Sequence, residues 1–162
     1  MEISKLSTFV VLMVLAMAHS LLAQNLPKDI VLSHNNARAQ VGVPLVPLKW
    51  NKTLAAYAYQ YASTRLADCT LVHSYSPYGE NLAMGYHDFS AVKAVNLWVG
   101  EKPNYDYASN SCKEDMCGHY TQVIWKNTHE VGCERLKCDN GEAWFVSCNY
   151  YPLGNYIGEK PY

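Results

Sequence analysis

Six cysteines, at positions 69, 112, 117, 133, 138 and 148, all lie C-terminal to an apolar leader, and that pairing constrains the fold more than any other feature. Residues 1–23 place Lys5 ahead of an unbroken apolar run from Phe9 to Ala18 and end in His19-Ser20-Leu21-Leu22-Ala23, the layout of a secretory signal cut after Ala23. The run is shorter than the roughly 20 apolar residues that span a bilayer, and no later stretch is more apolar, so stable membrane insertion is not expected. An even number of cysteines on an exported chain reads as three disulfides. Spacing leaves the pairing open, although Cys112 and Cys117 suit a small local loop. The absence of a C-x-x-C pair argues against a cysteine zinc site.

The remaining residues, 24–162, are the right length for one domain with its own core. With 13 Lys+Arg against 14 Asp+Glu there is no basic surplus to hold nucleic acid. Pro27, followed by Ile30, Val31, Leu32 and the Ala37-Arg38-Ala39 run, predicts a first helix ending at Gly42. Asn51 or Thr53 caps a second over 53–67, where Leu54, Ala58, Tyr61, Ala62 and Leu66 share a face. A third follows Asp88 and Ser90, buries Ala91, Ala94, Val95, Trp98 and Val99, and stops before Pro103. The period then changes. Thr121–Trp125, Glu130–Lys137 and Ala143–Tyr150 read as strands, with Asp139-Asn140-Gly141 as a hairpin turn. Helices followed by strands predict an α+β domain, and residues 152–162, broken by Pro152, Gly154, Gly158 and Pro161, predict an extended strip.

His73, Glu80, Glu101 and His119 are the residues able to make one polar cluster, either as zinc or copper ligands, as acid and base groups, or as a structural hydrogen-bonded set. Nothing marks a nucleophile: there is no G-x-S-x-G or H-E-x-x-H, and disulfide formation leaves no free thiol. Thirteen tyrosines are unusual. Packing is the plainer use for them, but Tyr105 and Tyr107, in a loop beside Pro103, also suit the wall of a groove for an amphipathic ligand such as a sterol. Asn51-Lys52-Thr53 is a sequon, which makes Asn51 a candidate glycan acceptor.

Several stretches together resemble the CAP superfamily, and within it the plant class 1 pathogenesis-related proteins. They are His34-Asn35-Asn36-Ala37-Arg38, Leu48-Lys49-Trp50-Asn51, Tyr78-Gly79-Glu80-Asn81-Leu82, Ala94-Val95-Asn96-Leu97-Trp98, Cys117-Gly118-His119-Tyr120-Thr121-Gln122 and Ser147-Cys148-Asn149-Tyr150. The resemblance implies a three-layer α-β-α sandwich with a small central antiparallel sheet, and the bridges Cys69–Cys138, Cys112–Cys117 and Cys133–Cys148. It implies that His73, Glu80, Glu101 and His119 line one cavity, with zinc at His73 and His119 as the candidate metal and no cofactor required. It implies a secreted monomer in the apoplast or the vacuole, with Gln24 as a pyrrolidone carboxylic acid terminus. The implied activity is non-enzymatic defence against fungi and oomycetes, through sterols or other membrane lipids held at the loop bearing Tyr105 and Tyr107. A metal-dependent hydrolase at the His/Glu cavity is the alternative. A further implication is a defence peptide released from residues 152–162, although Tyr151 and Leu153 depart from the residues usual at that cut. On the chain-entropy account the longest bridge contributes about 4 kcal/mol, so reduction of the purified domain is expected to lower its thermal midpoint; an unchanged midpoint would refute that share of the stability.

Overall fold

Pro27 and Asp29 open the first helix, α1 (Pro27–Ala39), where a ring in place of an N–H and an acidic first turn both favour initiation. The computed structural model describes residues 10–11, 25–113 and 116–162; the rest of the expected leader, and Gln24, lie outside the described residues. Helix α1 stops at Ala39 rather than at Gly42 because the Gln40 N–H closes a tight turn on Ala37 O, and Gly42 then takes a left-handed backbone (φ 85°). Beyond it Asn35 braces the loop by donating to Leu48 O (3.1 Å) and accepting from Leu48 N (2.7 Å). The short strand β1 (Lys49–Trp50) follows.

Asn51 caps α2 (Lys52–Ser63), its Oδ1 accepting from the N–H groups of Thr53 and Leu54. This helix ends four residues before the expected 67, because the hydroxyls of Ser63 and Thr64 donate to Tyr59 O and Tyr61 O and the chain turns toward Cys69. Asn51 Nδ2, the atom a glycan would join, donates to Glu130 Oε2 (3.0 Å), so attachment there displaces that contact. Next come β2 (Gly79–Tyr86) and α3 (Ala91–Gly100), the latter capped by Ser90. A 3₁₀ turn at Lys102–Asn104 leads to the small β3 (Tyr105–Asp106) and β4 (Ser111–Cys112) ladder.

The expected strand at Thr121–Trp125 is instead the end of a helix, α4 (Gly118–Val123), and the turn after it. Glu101 Oε2 accepts the first-turn N–H groups of His119 and Tyr120, a cap from a distant element that outweighs the β preference of Thr, Val and Ile. Strands β5 (Glu130–Lys137) and β6 (Ala143–Tyr151) match the expected pair, joined by a turn with Gly141 at φ 74°. The main sheet runs β1-β5-β6-β2, antiparallel except for the two-residue parallel contact of β1 with β5.

Helix α2 covers one face of this sheet, and α1, α3 and α4 cover the other, completing an α-β-α sandwich. Strand β6 is buried on both sides: Ala143 and Phe145 meet Ala62 and Leu82, while Val146, Cys148 and Tyr150 meet Ile30, Val95, Trp98 and Val123. A Cβ on Gly132 would lie 2.2 Å from Ala55 N, so only glycine lets α2 sit this close to β5. The bridges are Cys69–Cys138, Cys112–Cys117 and Cys133–Cys148, the last linking directly opposed residues of β5 and β6.

Arg38 is the buried hub of the helical layer, 1% exposed, and among the described residues no carboxylate pairs with it. Its guanidinium donates to Val46 O twice, to Val123 O and Trp125 O, and to Thr128 O. Burial lowers its pKa to about 10, so it stays cationic at neutral pH. Arg38→Lys keeps the charge but cannot reach four carbonyls at once; denaturant titration is expected to show a loss of about 3 kcal/mol, and a loss under ~1 kcal/mol would remove Arg38 from this role.

Candidate functional site

Trp98 and Glu101 lie one turn apart at the end of α3, and together they fix His119 on α4. The Trp98 and His119 rings stack with centroids 6.1 Å apart and 25° between planes, while Trp98 Nε1 donates to Leu82 O (3.2 Å). His119 Nδ1 is 2.6 Å from Glu101 Oε1. A carboxylate there accepts, so the ring carries a proton on Nδ1, and Nε2 is the nitrogen that this contact leaves unused. Glu101 spends its other oxygen on the backbone of His119 and Tyr120, so it is the support beneath the histidine.

A second, matching pair stands across the opening. His73 Nδ1 donates to Glu80 Oε1 (2.8 Å), which also accepts from Ser74 N (2.9 Å). The Glu80 side chain is 5% exposed, and its Oε2 is buried with no partner among the described residues, as is Ser74 Oγ. His73, Glu80 and His119 line a cavity of about 470 Å³ whose rim carries Tyr75, Tyr78, Met116 and Leu153. Three of the four expected residues thus face one space, and Glu101 acts on it through His119.

Zinc at His73 and His119 would have one ring nitrogen of each histidine to rest on. Each carboxylate is turned to its own histidine's Nδ1, the contact that orients a ligating imidazole and leaves its other nitrogen for an ion. Among the described residues no three His, Cys, Asp or Glu side chains converge where one ion could touch them all.

Tyr105 and Tyr107 are engaged in packing. Tyr105 donates to Asn110 Oδ1 (2.8 Å) and its ring lies 6.4 Å from those of Tyr107 and Tyr120. Tyr107 stacks on Tyr162 (4.8 Å, 20°), donates to Tyr162 O (2.5 Å) and lies under Lys160 Nζ at 4.3 Å. The covering element is the C-terminal strip, 152–162, held along its length: Thr128 Oγ1 donates to Pro152 O, Gly154 N to Gln122 Oε1, Lys126 N to Pro161 O and Asn110 Nδ2 to Glu159 O. A Cβ on Gly154 would come within 2.6 Å of the Trp125 ring, so the strip is seated flush. A smaller cavity of about 280 Å³ remains between loop and strip.

The family described as CAP, the cysteine-rich secretory protein family, matches residues 31–150. The chain belongs to the CAP family. Pathogenesis-related leaf protein 4 of Solanum lycopersicum is 55% identical over 93% of this chain and 92% of its own length, and pathogenesis-related protein 1A of Nicotiana tabacum is 55% identical over 93% and 89%. Among solved structures, venom allergen-like protein 4 of Schistosoma mansoni superimposes with a TM-score of 0.66 at 30% identity, covering 84% of this chain and 92% of that one. The plant relatives are named as pathogenesis-related proteins, not by an enzymatic activity.

Three polar residues that matter in this CAP domain do not stand out in the sequence: Asn81, Gln122 and Asn155. A polar residue inside an apolar run, as Asn81 is in β2, is the available signal. Asn81 Nδ2 donates to His119 O (3.0 Å) and to the Tyr150 hydroxyl (3.2 Å). That hydroxyl lies 2.9 Å from His34 Nε2, and His34 Nδ1 lies 2.8 Å from Ile30 O. Since a carbonyl only accepts, Nδ1 holds the proton and Nε2 receives the Tyr150 O–H. Complete burial, with Arg38 nearby, lowers the His34 pKa to about 4. The unfolded imidazole takes its proton near pH 6.5 and the native one only near pH 4, so the unfolded state binds more protons between those values. Stability is therefore expected to fall by about 3 kcal/mol as pH drops from ~6.5 to ~4, then to level off, and His34→Gln to remove that slope. Urea midpoints measured across this range would refute the assignment if parent and variant stay parallel.

Proposed function

We propose that this is a secreted plant defence protein that acts by binding and sequestering sterols of fungal and oomycete membranes. The observation that carries the reading is the 470 Å³ cavity. Its lining offers His73, Glu80 and His119 as polar groups for a hydroxyl, beside the aromatic and aliphatic Tyr75, Tyr78, Met116 and Leu153. Capture of an amphipath needs such a cavity and no nucleophile. The names of the plant relatives and the family match support the defence role, and three disulfides support an oxidising, extracellular compartment, taken as the apoplast.

The tight seating of residues 152–162 favours binding over peptide release as the primary action. Tyr107 then serves as a supporting wall under the strip, while Tyr105 lines the smaller cavity. The purified mature protein is expected to bind ergosterol saturably over a sterol-free lipid control, and excess ergosterol to relieve its inhibition of hyphal growth. Growth inhibition unaffected by added ergosterol, with no saturable binding, would sink the reading.

A further inference from the structure

We infer that the two cavities are halves of one elongated site, and that Asn155 is the gate between them. The inference rests on the sterol reading above and specifies where such a ligand lies. Both spaces share Cys112, Cys117, Gly118 and Asn155 in their linings, so they meet at a partition built from one disulfide, a glycine and one side chain. The disulfide is fixed and Gly118 contributes no side chain, which leaves Asn155 as the movable part. Its Oδ1 accepts from Thr121 Oγ1 (2.7 Å) and its Nδ2 donates to Gly118 O (2.8 Å), a two-bond latch from the strip onto α4.

Asn155 also occupies a left-handed backbone, φ 58°, a region asparagine tolerates better than most residues. The strip can therefore hold this position while the side chain alone swings aside. Opening costs two hydrogen bonds and leaves the backbone anchors at Pro152, Gly154 and Pro161 in place.

The occupant follows from the two ends. The larger cavity carries His73, Glu80 and His119 as polar groups, and a sterol carries one hydroxyl at one end of its body. The smaller cavity adds Tyr105 and Tyr156 as flat apolar surface for the rings. By itself the second cavity, at about 280 Å³, is smaller than the roughly 300–1,000 Å³ of ligand sites, whereas joined to the first it falls within that range. A closed latch taxes binding by the fraction of molecules in which it is open, and removing the latch removes the tax.

Asn155→Gly tests this with little backbone penalty, because glycine accepts the same φ. Ser111→Trp, on exposed β4, tests it from the far side by filling the second cavity. Full-length mature protein with intact disulfides is titrated with dehydroergosterol, thermal midpoints being recorded in parallel. Asn155→Gly is expected to bind at least about fivefold more tightly than the parent, and Ser111→Trp at least about fivefold more weakly. Equal binding by parent and both variants leaves the sterol reading standing and overturns the joined site. Binding by none of the three removes the sterol reading and this inference together. Should Asn155→Gly unfold, Ser111→Trp decides alone, unchanged affinity overturning the joined site.

Discussion

The guanidinium of Arg38 is the constraint on which the helical layer depends. A buried cation without a carboxylate would be costly, and here backbone carbonyls from three separate segments supply the compensation. Val46 belongs to the loop leading into β1, Val123 and Trp125 to the end of α4, and Thr128 to the turn before β5. These carbonyls include orphan groups at the C-terminal end of α4, where the helix dipole is negative. One side chain thus sets the distance of α1 from α4 and the path of the chain onto the sheet.

Helix α4 is consequently pinned at both ends, by Arg38 below and by the Glu101 carboxylate above. His119 sits on this short, doubly held helix, and its carbonyl is tied through Asn81 and Tyr150 to buried His34. The site is therefore continuous with the core. A cavity built this way holds a shape steadily, which suits recognition, and each of its histidines is oriented by its own glutamate.

Much of this is legible from residue patterns, and the failures have physical causes. Helix α3 and strands β5 and β6 follow directly from periodicity and turn chemistry, since their apolar positions all face one core. Thr121–Trp125 reads as a strand and folds as a helix because local β preference is overruled by a carboxylate about twenty residues earlier in the chain, a cap that no local window contains. Strand β2 is faint in the sequence because Gly79, Asn81 and Gly85 dilute its signal, yet Gly79 is required where a Cβ would come within 2.2 Å of Gln122 Oε1. The resemblance to CAP proteins names His73, Glu80, Glu101 and His119 as one set. It leaves open that the glutamates serve the histidines in two separate pairs, because the direction of a carboxylate is a property of packing. The second cavity is invisible in the sequence for a similar reason: it exists only where the C-terminal strip crosses the aromatic loop.

That strip is a wall as well as a tail. Leu153, Gly154 and Asn155 line the larger cavity, and Asn155, Tyr156, Gly158, Glu159 and Pro161 line the smaller one. A molecule cut after Tyr151 would forfeit one side of both spaces, along with the cover over Tyr107. Holding a ligand and surrendering the peptide are then alternative fates of a single copy, so any tissue that drew on both would have to divide its supply of the protein between them.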